Sequence, residues 1–427
     1  MIFLDSAATT PVRREVLETM WPYLTGDFGN PSSHHELGES AKRALDGARK
    51  SVASVIGCRA SDVVFTSGGT ESDNLAIKGV ALAEPGGRHI ITSAIEHEAV
   101  LESVDFLKRI HGFEVTVLPV DGSGLIDIED LRGALRPNTT LCTIMYANNE
   151  VGVVQPIAAF AELCRQYSVP MHTDAVQAAG WLPLDFAELG VDALSLSGHK
   201  LGAPKGVGVL IVKGRRYLEP VIHGGGQERG KRSGTENVAG AVGFAHALAL
   251  AESDRRDRAE RTARLRDDFV TDVLARVPEA ILTGPALASG AGAGLAGEVG
   301  ALGAALAGAD TAVDTNAAGE TGATPVAANA ASSPQRLPNN ASFCFPGTSG
   351  ESLLLELGRA GIICSAGSAC AVGSDEASHV LLAIGIDSAV AQTAVRFSLS
   401  GETTAEELST VASEIETAYR AVRALSS

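Results

Sequence analysis

The stretch LSLSGHKLGAPKGVGVLIV, Leu194–Val212, decides the fold. An apolar strand pattern ends at Ser197 and runs straight into Gly198, His199 and Lys200. A turn punctuated by glycine and proline follows, and GVGVLIV reads as the next strand. A lysine in such a tight, partly buried turn has a lowered pKa and can form a Schiff base with a carbonyl compound.

Working outward, strand and helix patterns alternate from about residue 60 to 215. DVVFTS, HIITS, FEVTVLPV, TLCTIMYA, PMHTDA and ALSLSG read as strands, and helical patterns such as EHEAVLESVDFLKRI lie between several of them. Strands divided by helices predict a mostly parallel sheet covered on both faces. Residues 252 to 277 form one long helical pattern, with Leu265, Phe269, Val273 and Val277 at four-residue steps. The C-terminal part predicts strands at NNASFCF and AVRFSLS and helices at ESLLLELGRAG and TAEELSTVASEIETAYRAVRAL. Residues 286 to 333 are almost entirely Ala, Gly, Thr, Ser and Val, without Lys, Arg, His, Cys or aromatic residues. Such a segment buries too little surface to offset its ordering entropy, and a loose surface insertion is expected.

The chain has 427 residues, 45% hydrophobic and 20% charged, which describes a large globular protein. A net charge of −17 argues against nucleic acid or an anionic membrane surface as partner. No apolar run reaches membrane-spanning length, and MIFLDSAATTPVRREV is not a signal peptide. Six cysteines without a CxxC pair do not make a disulfide framework. A cytoplasmic protein with reduced thiols is expected.

In an open parallel sheet, ligands bind beyond the carboxyl ends of the strands. After VVFTS come Gly68, Gly69 and Thr70, which read either as an ordinary turn or as a cradle for an anion at a helix start. After HIITS comes His97 at a helix start, between Glu96 and Glu98; it reads as a packed histidine or a functional one. Asn148, Asn149 and Glu150 follow TLCTIMYA, as turn formers or as hydrogen-bonding groups for a cofactor. Asp174 ends an apolar strand, with Gln177 three residues on. It is either a helix cap or a buried carboxylate awaiting a cation. A lysine Schiff base on a pyridine ring needs a carboxylate that keeps the ring nitrogen protonated. Asp174 lies one strand before Lys200, where that partner belongs.

These residues sit inside longer motifs. FLDSAATTPV, GNPSSHHELG, VFTSGGTESDNLAIKG, EHEAVL, NNEVGVVQPI, HTDAVQAAG, SLSGHKLGAPKGVG, HGGGQERGKRSGTENV, SAGSAC and RFSLS occur in one order along nearly the whole chain. In these the chain resembles the cysteine desulfurases of the NifS/IscS type, class-V aminotransferases of pyridoxal phosphate (PLP) fold type I. The resemblance implies an α/β fold: a large PLP-binding domain at 15–250 with a mostly parallel mixed sheet, and a smaller α+β domain from 1–14 and 251–427 carrying the 286–333 insertion.

The resemblance also implies roles. Lys200 would hold PLP, Asp174 would pair with its ring nitrogen, and His97 would stack on the ring and help move protons. Gln177 and Asn149 would bond near the phenolic oxygen and the substrate. Gly69, Thr70, Ser197 and His199 would hold the phosphate, and Thr235 would reach the phosphate of the neighbouring subunit in a homodimer. Arg396 would bind the carboxylate of L-cysteine as a bidentate pair. Cys370 would take the substrate sulfur as a persulfide, releasing L-alanine, and pass it to an acceptor protein for iron–sulfur cluster assembly or thiolation of tRNA or a cofactor. The resemblance also implies a transient role for Cys370 as an iron–sulfur ligand. Cys364, after Ile362 and Ile363, is expected as a buried strand residue. A selenocysteine lyase and a PLP aminotransferase of the same fold are the rival readings; the aminotransferase would share Lys200 and Asp174 without needing the SAGSAC loop. A non-enzymatic persulfide carrier would bind no PLP.

Overall fold

The computed structural model describes residues 1–83, 87–214, 216–287, 335–366 and 377–425. Cys370 and nearly all of the 286–333 segment lie outside these residues.

A seven-stranded sheet forms the centre. Its order is Val63–Thr66, Gly208–Val212, Ala193–Ser197, Met171–Asp174, Thr139–Thr143, His89–Ser93 and Glu114–Leu118. Gly208–Val212 runs antiparallel to both neighbours, and the other neighbouring pairs are parallel. The predicted strands are therefore present, and the sheet is mixed. Its central strands are buried along their whole length because helices cover both faces. Gly69–Ala83 packs directly on the sheet beside Glu98–His111. Arg14–Thr25 and Glu36–Ile56, which the strand pattern does not reveal, pack on Val238–Ser253. That last helix, VAGAVGFAHALALAES, is apolar around most of its circumference and is correspondingly interior.

The expected helix at 252–277 spans Arg255–Arg276, with Asp254 separating it from Val238–Ser253. Phe269, Val273 and Val277 enter a second core with residues of the terminal helix Ala405–Leu425. This core covers an antiparallel sheet ordered Ile281–Leu282, Asn340–Cys344, Ala394–Ser398 and Ser365–Ala366. Phe269 meets Phe343 and Phe397 edge-on, with centroids 6.3 and 5.5 Å apart.

The N-terminus links the two layers. Ile2–Phe3 pairs in parallel with Ile362–Ile363, and Leu4 is buried in the second core. The chain then crosses Ser398, which receives the Ala7 amide on Oγ at 2.8 Å, and runs over the turn that carries Lys200.

Candidate active site

Lys200 ends a short 3₁₀ turn, Gly198–Lys200, directly after the Ala193–Ser197 strand. Its Nζ donates to the carbonyls of Ala7 and Ala8 at 2.5 and 2.6 Å. Gln177 Nε2 donates to the same Ala7 carbonyl at 3.0 Å. Thr10 donates its amide to the His199 carbonyl at 2.9 Å, and Thr9 Oγ1 lies 3.1 Å from His199 Nδ1. The N-terminal segment is thus a strap across the lysine turn. His199 is pushed down to about 4, first by burial and then by the Lys200 and Lys205 cations, so its ring is neutral near pH 7.

Asp174 ends the adjacent strand, paired in register with Ser195. It is only 7% exposed, and its Oδ1 accepts from the Val176 amide at 2.9 Å. The chain makes turns after Asp174, so the helix-cap reading fails. Burial pushes its carboxyl up, and the neighbouring His97 ring, the Val176 amide and the Lys200 cation draw it back. Two further carboxyls lie behind it. Asp73 is raised well above the usual range, by burial and then by Asp174. Glu96 is pushed up to about 8 by burial, although the Ser93 hydroxyl (2.5 Å) and the Met145 amide (3.0 Å) both donate to its Oε1. Asp73 Oδ1 and Glu96 Oε2 are buried without a hydrogen-bond partner. His172, lowered to about 3 by burial, bridges Thr143 Oγ1 (2.8 Å) and Ser195 Oγ (2.9 Å). Its Nε2 is 3.7 Å from Asp73 Oδ1, a contact in which burial disfavours the charge on both partners. Asp73 sits in the polar run Thr70–Asn74 and Glu96 beside His97 and Glu98, while His172 is a polar residue directly after Met171, so the sequence does not mark the three as buried site residues.

Gly68, Gly69 and Thr70 lie where Val63–Thr66 gives way to the helix Gly69–Ala83. A Cβ on Gly69 would sit 2.9 Å from Val176 Cγ2 and 3.4 Å from Ser197 Cβ, so only glycine allows this close approach. Ser197 lies against this turn: a Cβ on Gly68 would come 4.0 Å from its Oγ. Thr235 is exposed on a separate loop, which is tied down at two points. Arg232 Nε donates to Glu71 Oε1 at 2.8 Å. Glu228 takes both Arg49 Nη atoms, at 2.7 and 2.8 Å, and the Phe65 amide at 3.1 Å. Glu228 and Arg229 hold left-handed φ values of 49° and 60°, a strain that the buried ion pair sustains.

Arg396, from the Ala394–Ser398 strand, is 1% exposed. Nη1 donates to the Asn149 carbonyl and Nη2 to Asp5 Oδ1, both at 3.0 Å, while Nε is buried with no partner. His97 caps the helix Glu98–His111 by accepting the Ala99 amide on Nδ1 at 3.0 Å. A neutral His97 therefore carries its proton on Nε2. Cys364 is half-buried between the Ile362–Ile363 and Ser365–Ala366 strands, less enclosed than a core strand residue. Burial pushes its thiol up to about 12, which removes it as a nucleophile at neutral pH. Among the described residues, no cluster of three or more His, Cys, Asp or Glu side chains could hold a metal ion.

The family described as aminotransferase class-V matches residues 2–293. A cysteine desulfurase IscS of Dictyoglomus turgidum is 42% identical over 426 residues, covering 100% of this chain and 96% of that protein. The chain belongs to the cysteine desulfurase family, within the class-V aminotransferases. Among solved structures of similar proteins, a NifS-like protein superposes with a TM-score of 0.81 at 34% identity, covering 97% of this chain and 98% of that one. SspA in complex with cysteine superposes with a TM-score of 0.72 at 33% identity, covering 95% and 100%. The fold of this desulfurase family member is the PLP fold type I, a large mixed-sheet layer joined to a smaller C-terminal α+β layer. Among the described residues no helix is long and apolar enough to cross a membrane.

Proposed function

We propose that the protein removes sulfur from L-cysteine with the help of PLP, releasing L-alanine and holding the sulfur as a persulfide on Cys370. The observation that carries this reading is the pairing of Lys200 and Asp174 on adjacent strand ends, with the unpartnered Nε of Arg396 buried on the facing layer.

The residues fit the cofactor. A buried acid cluster with Asp174 foremost favours a protonated ring nitrogen, which would return the Asp174 carboxyl to its ionised form. The corner formed by Gly69, Thr70, Ser197 and His199, at a helix N-terminus, suits a phosphate. Thr235, exposed on its braced loop, would reach the phosphate site of a second copy. His97 would lie against the ring, and Gln177 and Asn149 would bond near its phenolic oxygen and the substrate. Bound PLP supplies an electron sink for the charge left at the substrate Cα.

The chain's own groups do the rest. Lys200 Nζ holds the cofactor at rest and takes the Cα proton when freed. Arg396 orients the substrate carboxylate, since Nε and an Nη form a fork matched to two oxygens. The Cys370 thiolate then bonds to the substrate sulfur as the Cβ–S bond breaks, and protons complete L-alanine. In sum, L-cysteine and a thiol become L-alanine and a persulfide. The sulfur acceptor would be an iron–sulfur scaffold or a thiolation enzyme, in the cytoplasm. The large domain spans 15–250 in this reading, and 1–14 with 251–427 forms the small one.

The test is release of L-alanine and, with a reductant, sulfide from L-cysteine by the purified yellow protein. No alanine would overturn the reading, and a strong preference for selenocysteine would redirect it to a lyase.

A further inference from the structure

Two hydrogen bonds tie the chain just beyond the cysteine-bearing stretch to the site. Ser378 Oγ donates to Glu150 Oε2 at 2.5 Å, and His379 Nε2 lies 3.0 Å from the Glu96 carbonyl. A carbonyl only accepts, so His379 carries a proton on Nε2. Both acceptors adjoin groups already placed in the site. Glu150 follows Asn149, whose carbonyl receives Arg396 Nη1. Glu96 precedes His97.

The acceptors are themselves held in place. Asn148 Oδ1 takes the amides of Glu150 and Val151 at 2.8 and 2.9 Å, and Asn340 Nδ2 donates to the Glu150 carbonyl at 3.1 Å. The donors are braced too: Val380 and Leu381 are buried in one apolar cluster with Ile95, Met145 and Val151. On the other side of Cys370, Ser365 pairs in register with Arg396. The described residues on the two sides of the stretch, Ser365 and Ser378, therefore converge on the Arg396, Asn149 and Glu150 neighbourhood. A Ser378 hydroxyl serving only as a helix cap needs its bond to the Leu381 amide (3.2 Å), not a buried carboxyl from a turn 228 residues away.

We propose that Ser378 and His379 are positioning residues for sulfur transfer, fixing the exit of the cysteine-bearing stretch on the turns that carry Asn149 and His97. This rests on the reading of Cys370 as sulfur acceptor, and its failure can be told apart from failure of that reading. The holoenzyme gives two separate rates. Exchange of the Cα proton of L-alanine with deuterated water needs the cofactor site but no sulfur acceptor. Single-turnover transfer of labelled sulfur from L-cysteine to the protein needs both.

Ser378→Ala is expected to leave exchange unchanged and to slow sulfur transfer about tenfold, the kinetic equivalent of one buried hydrogen bond. Ser378→Thr, which keeps the hydroxyl, should restore transfer. If Ser378→Ala does not fold, His379→Phe, which leaves the helix cap in place, should show the same split. Equal loss of both rates, or unchanged transfer, overturns the proposal. Labelled sulfur retained on Cys370→Ala protein would instead overturn the acceptor reading.

Discussion

Arg396 and Asp5 are 391 residues apart and joined by a 3.0 Å ion pair, Nη2 to Oδ1. The Asn149 carbonyl on Nη1 completes a two-point mount that leaves Nε without a partner. A buried guanidinium aimed in this way suits a carboxylate that arrives with the substrate. Lysine would keep the charge and lose the planar fork. Arg396→Lys is expected to lower kcat/KM for L-cysteine about a hundredfold, as for losing charged hydrogen bonds, with the cofactor absorbance retained. Asp5→Asn keeps an acceptor and should raise KM only about fivefold, the cost of weakening one mount. Steady-state alanine formation measures both.

Lys200 and Cys370 separate by spectrum. Lys200→Ala is expected to lose the near-visible absorbance of the covalently held cofactor, leaving at most weakly bound PLP. Cys370→Ala should stay yellow and form no alanine from L-cysteine. An unchanged Lys200→Ala spectrum would refute its role, and so would sustained alanine production by Cys370→Ala for the thiol.

Glu96 predicts a pH-dependent stability. Its carboxyl is pushed from 4.5 to about 8, chiefly by burial and further by Asp174, with Asp73 and Cys142 as other titratable neighbours. The folded chain favours the protonated form, so this contribution is complete below the unfolded value and fades as pH rises toward 8. Glu96→Gln keeps the shape without the titration. The stability of the natural protein relative to this variant should fall by on the order of a few kcal/mol between about pH 5 and 8. Urea unfolding across that range measures the difference; parallel curves would show that Glu96 does not titrate in the window.

Much of this site was legible because strand ends announce themselves. Lys200, Asp174, His97 and Asn149 each follow an apolar run, where a polar residue stands out. The strap was not legible as chemistry, because the acceptors for Lys200 and Gln177 are the backbone carbonyls of Ala7 and Ala8, and side-chain identity carries no record of a carbonyl. The same holds for the Glu96 carbonyl that takes His379. Glu228 was hidden in a charged loop, where burial against Arg49 cannot be told from exposure. Gly208–Val212 was legible as a strand but its antiparallel direction was not, because an apolar run buried on both faces reads alike in either direction.

The helix Arg14–Thr25 carries the last prediction. Val16 and Met20 are buried, while Leu17, Trp21 and Leu24 face outward at steps of four and three residues, with Phe28 exposed just beyond. Trp21 is 66% exposed, and an apolar stripe of this kind on a helix already packed on its other face calls for a partner. If the partner is a second copy, the natural protein sediments as a dimer and Trp21→Glu shifts it toward monomer. If Thr235 reaches the phosphate site of that second copy, as proposed, assembly and cofactor binding are linked. The Trp21→Glu monomer should release PLP more readily in dialysis, and Thr235→Ala should weaken PLP retention without dissociating the dimer. A monomer that holds PLP as tightly as the natural protein would remove Thr235 from the cofactor site while upholding the Trp21 face as the interface.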